Sequence, residues 1–258
     1  MTYAAGTARV DSPRDTTSPA PLVRLDRVSK SYGALRVTDD LSITLARGEA
    51  LGVLGPNGAG KSTMFNLITG DVRPDAGRVW LAGEDITGLA PSERCRRGIG
   101  RSYQVPHPFS GMTVFENVLV GATFGGDMAE DEASAHAVDV LRRTSLLSKA
   151  NVLAGALTLL DRKRLEMAKA LSSRPKVLLL DEIAGGLTDH EAAALVDTIR
   201  SIRAEGVSLI WIEHVVHALL AVVDRLVVIH FGALLKEGAP DAVMASREVQ
   251  EVYMGIEQ

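Results

Sequence analysis

Gly55-Pro56-Asn57-Gly58-Ala59-Gly60-Lys61-Ser62-Thr63 is the stretch on which the reading of this chain turns. An apolar run over residues 49–54 leads into it and reads as a buried strand; a helix is predicted to follow over residues 62–69. Glycines let backbone N–H groups curve around phosphate oxygens, and the start of a helix adds favourable partial charge. Lys61 is long enough to reach β and γ phosphates, and the Ser62 hydroxyl can ligate magnesium. Strand, glycine-rich loop and helix stand in the order that binding of ATP and Mg2+ requires.

Working outward, residues 177–180, 207–212 and 226–229 read as further buried strands, so the expected class is parallel α/β. Thr188 or Asp189 can cap a helix over residues 190–203, which Gly206 stops. Residues near 110–172 are helix-rich without a convincing strand, with the clearest helices at 133–147 and 162–171, and read as an inserted helical subdomain. Residues 1–21 combine Pro13, Pro19 and Pro21 with small polar residues and read as a flexible tail. The expected core covers about residues 22–105 and 173–235, with the helical subdomain at about 106–172 and a helical tail at 236–258.

Bulk composition narrows the class. The 258 residues, 46% of them hydrophobic, can bury a full core. The 28 Lys plus Arg nearly balance the 32 Asp plus Glu, so no broad basic surface suits nucleic acid, which is not expected as a partner. One cysteine, Cys95, fits a reducing compartment. The N-terminal stretch lacks the features of a secretory signal, so no export is expected. Residues 215–235 are strongly apolar, but His217, Asp224, Arg225 and His230 interrupt them, so a membrane span is not expected there.

A second chemical signal is Val177-Leu178-Leu179-Leu180-Asp181-Glu182, an apolar strand with two carboxylates at its C-terminal end, where ligands bind in open α/β sheets. Asp181 can hold magnesium, and Glu182 can orient or deprotonate an attacking water, because phosphoryl transfer depends on positioning and charge stabilisation. Arg94, Arg96, Arg97 and Arg101 form a small basic cluster that reads as a solvated face or as local salt-bridge partners. His214 and His217 lack the further ligands of a zinc pattern.

These motifs, in this order, resemble an ATP-binding cassette (ABC) ATPase over residues 22–258. The resemblance implies an L-shaped P-loop NTPase domain with a RecA-like core, N-terminal antiparallel β elements and the helical insertion. It implies that Tyr32 stacks on adenine, that Gln104 senses magnesium and water, and that His214 contacts the γ-phosphate. Pro108 to Val118 and the ending Val252-Tyr253-Met254-Gly255 resemble the ATPases of branched-chain amino acid importers. The partners so implied are membrane permease subunits, a second ABC ATPase subunit and, indirectly, a substrate-binding protein, with the chain peripheral at the cytoplasmic face of the membrane. A lipid or lipopolysaccharide exporter motor, a non-transport nucleotide switch and a poorly hydrolytic regulatory subunit are the alternatives.

The sequence departs from the family at its signature, which caps ATP held by a second subunit. Here it reads Leu157-Thr158-Leu159-Leu160-Asp161: Leu160 replaces a glycine, and Asp161 is expected to set a carboxylate against the partner's phosphates. Ile183 and Thr188 stand where the family usually has proline and often aspartate. An intact P-loop beside this signature leads to the expectation of two unequal sites.

Overall fold

A computed structural model describes residues 20–254. Most of the tail expected over residues 1–21, together with Gly255 and the side chains of Tyr253 and Met254, lies outside what is described. The strands are β1 (Val23–Tyr32), β2 (Leu35–Leu45), β3 (Ala50–Leu54), β4 (Ala76–Leu81), β5 (Glu84–Asp85), β6 (Ile99–Ser102), β7 (Val177–Asp181), β8 (Ser208–Ile212), β9 (Arg225–His230) and β10 (Ala233–Gly238). The α-helices are α1 (Lys61–Thr69), α2 (Pro91–Arg96), α3 (Val114–Val120), α4 (Glu130–Arg143), α5 (Leu159–Ser172), α6 (Asp189–Ala204), α7 (Val216–Leu220), α8 (Pro240–Met244) and α9 (Arg247–Met254).

Six strands form the central sheet in the order β10-β9-β3-β8-β7-β6, and all neighbours are parallel except β10 against β9. A second, antiparallel sheet runs β2-β1-β4-β5. Strands β3, β7, β8 and β9 each carry a continuous apolar run because both of their faces are covered. Leu51, Val53, Val177, Leu179, Ile210, Ile212, Val227 and Ile229 enter the core shared with α1 and the antiparallel sheet. Leu54, Leu178, Leu180, Leu209, Trp211, Leu226 and Val228 enter the core shared with α3 to α6. Each such side chain contributes about 1.5–3 kcal/mol when fully buried, so the alternation locks the register of β3, β7, β8 and β9.

Some boundaries differ from those read in the sequence, each for a local reason. Helix α4 starts three residues early because Glu130, Asp131 and Glu132 favour its N-terminus, and it ends at Arg143 before Ser145 turns left-handed at φ +59°. Helix α5 starts at Leu159, capped by Thr158, so Leu159, Leu160 and Asp161 of the signature lie in its first turn. The core does not stop at residue 235: β10 continues through Gly238, and helix resumes only at Pro240. Its half-exposed edge position gives residues 233–238 no clean apolar alternation. Among the described residues no helix is long and apolar enough to cross a membrane.

Candidate functional site

Because β3, β6, β7 and β8 are parallel, their C-terminal ends open on one edge of the sheet. They deliver in turn the loop of residues 55–63, Gln104, Asp181 with Glu182, and His214. The loop needs its glycines. Gly60 has φ +101°, and a Cβ there would stand 2.5 Å from the Val37 carbonyl oxygen; at Gly55 it would stand 2.3 Å from the Ile229 carbonyl oxygen. Helix α1 then begins with no side-chain cap and no acidic residue in its first turn. Its orphan N–H groups and positive end are left to an external anion.

Lys61 is buried and curls back over the loop, its Nζ donating to the carbonyls of Gly55 at 2.7 Å and Pro56 at 3.1 Å. Burial pulls its ammonium below the ordinary lysine pKa, opposed by the charges of Glu182 and Asp181. A cleft of about 180 Å³ is lined by Val37, by all seven residues from Asn57 to Thr63, and by Glu182. Tyr32 is not part of this lining. It ends β1 half-exposed, with the Lys30 ammonium 5.7 Å from its ring centroid, while Val37 on β2 faces the loop.

Glu182 holds a left-handed backbone at φ +46°, unusual for a residue with a side chain and common where function requires it. Neighbours impose that conformation: its N–H donates to the Ile212 carbonyl at 2.8 Å, and its carbonyl accepts Lys163 Nζ at 3.4 Å. The carboxylate meets His214 Nε2 at 2.8 Å through Oε1 and accepts Gln104 Nε2 at Oε2. Three residues distant in sequence therefore converge beside the loop.

Asp181 is buried, and its Oδ2 accepts Arg101 Nη2 at 2.7 Å. Burial pushes its carboxyl above the ordinary aspartate range, while Arg101 draws it back down. The exposed Ser62 hydroxyl, the Gln104 amide and the Asp181 carboxylate supply hard oxygens, the donor type magnesium takes alongside phosphate and water. This donor set fits the metal.

The segment of residues 157–161 differs from expectation in one respect. Asp161 does not present its carboxylate outward: it is 4% exposed, ion-paired with Lys149, and accepts the Thr158 hydroxyl at 2.9 Å. Thr158 in turn accepts the Asp161 N–H at 3.3 Å. Leu160 packs half-buried against the helix-side core, and Leu159 is exposed. The missing glycine remains a departure, whereas the expected repulsion by Asp161 is removed by its internal pairing.

Sequence reading missed three contributors. Glu213, fully buried, accepts the N–H groups of Ala184 and His214, both at 2.9 Å, and so fastens the loop after β7 to the loop after β8. Its signal was a carboxylate directly after an apolar strand and before His214. Lys163 and Arg101 carried none, since each acts through a partner distant in the chain. Of the four arginines, Arg96 is exposed and Arg97 and Arg101 are salt-bridge partners of Glu84 and Asp181, whereas Arg94 is neither solvated nor ion-paired among the described residues. Arg94 is fully buried, donating to the carbonyls of Leu67 at 2.7 Å, Ile68 at 2.9 Å, Thr87 at 2.9 Å and Leu89 at 3.1 Å, and so closes the end of α1.

Residues 38–185 match the family model described as ABC transporter. The Haemophilus influenzae lipopolysaccharide export system ATP-binding protein LptB is 32% identical over 234 residues, covering 91% of this chain and 97% of that one. The Pseudomonas aeruginosa high-affinity branched-chain amino acid transport ATP-binding protein BraF is 32% identical over 250 residues, covering 91% and 98%. Among solved structures, the ADP conformation of MJ1267, an ATP-binding cassette of an ABC transporter, aligns with a TM-score of 0.83 at 30% identity, covering 92% of this chain and 99% of that one.

Proposed function

The chain belongs to the ATP-binding subunits of ABC transporters and is an ATPase coupled to transport, and on that premise we propose that it drives an importer of branched-chain or related amino acids through a separate membrane permease. The observation that carries the catalytic reading is Glu182, held beside the phosphate-binding loop by His214 and Gln104 in a backbone conformation the fold imposes.

In this reading the loop N–H groups and the open end of α1 cradle the ATP phosphates, and Tyr32 stacks on the adenine. Lys61 exchanges two neutral carbonyl partners for phosphate oxygens, a stronger charge-assisted bond. Glu182 orients the attacking water and accepts its proton as oxygen bonds to the γ phosphorus and the bond to the β,γ-bridging oxygen breaks, giving ADP and phosphate. His214 and Gln104 keep the Glu182 carboxylate in place. Ser62, Gln104 and Asp181 would hold magnesium, which would supply charge neutralisation to the phosphate oxygens.

Partners follow from the same reading: permease subunits, a second ABC ATPase subunit that completes the ATP site, and a substrate-binding protein acting through the permease, with this chain at the cytoplasmic membrane face. The importer assignment rests on residues 108–118 and the 252–255 ending. A lipid or lipopolysaccharide exporter is the alternative, because LptB and BraF are equally similar. Purification of the native complex in mild detergent decides between them: a co-purifying substrate-binding protein supports import, and partners that handle lipid overturn it.

A second reading concerns the dimer and is favoured by Leu160 and by the internal pairing of Thr158 with Asp161. The signature segment acts on the partner's ATP but with fewer groups to offer, so this chain's own site, completed by a partner with a better signature, is the more active of two. Separate mutation of each subunit's catalytic glutamate tests this, and equal losses of turnover would count against it.

A further inference from the structure

Arg101 joins the magnesium-side carboxylate to a second, larger cavity. That cavity, of about 360 Å³, lies between α1, α2 and the helices that follow β6, and Asp71, Arg101, Tyr103, Glu166 and Lys169 are among its lining. The Arg101 side chain is 8% exposed. Its Nη2 donates to Asp181 Oδ2 and its Nη1 to Asn66 Oδ1, both at 2.7 Å, and Nη1 lies 3.5 Å from Asp71 Oδ2. The guanidinium carbon stands 4.7 Å from the centroid of Tyr103 and 5.5 Å from that of Phe65.

This is a costly way to fill space. The Arg101 Nε is buried without a partner among the described residues, and buried ion pairs are commonly no better for stability than apolar side chains of similar volume. What the arrangement provides is orientation. Asn66 on α1 and the two aromatic rings fix the guanidinium, and the guanidinium occupies Oδ2 of Asp181, while Oδ1 accepts no hydrogen bond among the described residues. Carboxylates that bind metals are held in this manner by a hydrogen-bond partner beyond the metal's own ligands.

We propose that Arg101 is a positioning residue: it holds Asp181 by Oδ2 so that Oδ1 stays available to magnesium. The inference rests on the reading of Asp181 as a magnesium-side carboxylate. The probe is Mn2+, titrated by electron paramagnetic resonance into the full chain with a non-hydrolysable ATP analogue. Arg101→Gln is expected to weaken Mn2+ binding by about 10–100-fold, and Arg101→Lys by less, because it keeps the charge. Analogue binding measured in EDTA should change less than about twofold, since neither variant touches the phosphate loop.

Unchanged Mn2+ affinity in Arg101→Gln overturns the proposal, as does a metal-free loss of analogue binding as large as the metal-dependent one. Should Arg101→Gln fail to fold, Asn66→Ala frees the other end of the guanidinium while leaving Arg101 and Asp181 in place. A smaller loss of Mn2+ affinity in that variant supports the proposal, and none overturns it. Wild-type protein that binds neither Mn2+ nor the analogue would instead remove the ATPase reading itself.

Discussion

Helices α1 and α5 each begin where a phosphate is expected to meet a helix N-terminus, yet they treat their first N–H groups in opposite ways. Helix α1 follows Gly60 with no capping side chain and no acid in its first turn. Helix α5 is capped by Thr158 and carries Asp161 in its first turn, with the carboxylate itself ion-paired to Lys149. One helix start is left incomplete for a ligand, and the other is completed from within the chain. Helix-end N–H groups left without an internal partner can be taken up by a ligand, whereas capped ones stabilise the fold.

The strongest way to break this comparison is at the α1 end. Glu182→Gln should lower phosphate release by about 10²–10⁴-fold while ATP binding persists, because only the proton-accepting role is removed. Retained turnover would take Glu182 out of the mechanism. Next comes reopening α5: Leu160→Gly with Asp161→Gln restores the usual residue types. Assayed with a partner ATPase, it should raise turnover at the partner's site about tenfold, the scale of one hydrogen bond to a charged group. No rise would mean that residues 157–161 do not limit that site.

The same pairing should appear in stability. Asp161→Ala removes the acceptor for Thr158 and the partner of Lys149, and is expected to cost about 1–2 kcal/mol in urea unfolding, with Asp161→Asn costing less because an acceptor remains. The smallest effect concerns caps that serve the fold alone. Glu116 and Glu191 accept N–H and hydroxyl hydrogen bonds from Thr113 and Thr188, which hold both carboxyls below the ordinary glutamate pKa of 4.5. Their contribution is therefore complete above pH 4.5 and is lost as pH falls through the lowered pKa values. Glu191→Gln should flatten that part of the stability profile, as followed by urea midpoints between pH 3 and 6; an unaltered profile would leave the cap without effect.

How much could be read in advance depended on the range of the interaction. The loop of residues 55–63 and the pair Asp181 and Glu182 were legible because their chemistry lies in consecutive residues between a strand and a helix. Strands β3, β7, β8 and β9 were legible because burial on both faces leaves a continuous apolar run. Edge strand β10 was not, since half-exposed residues carry no clean period. Arg94 was misread because its four acceptors come from α1 and from residues 87–89.

The sequence by itself determined that this chain grips a nucleotide, since the loop, the apolar strands and the order of motifs are properties of short stretches. Tertiary structure alone decided which groups are free to act. It turned Asp161 inward, brought Gln104 and His214 to opposite oxygens of Glu182, and set Arg101 on Asp181. The physical reason is that a carboxylate's partners are chosen by the packing of distant elements, and a one-dimensional pattern carries no record of which side chain will be nearest.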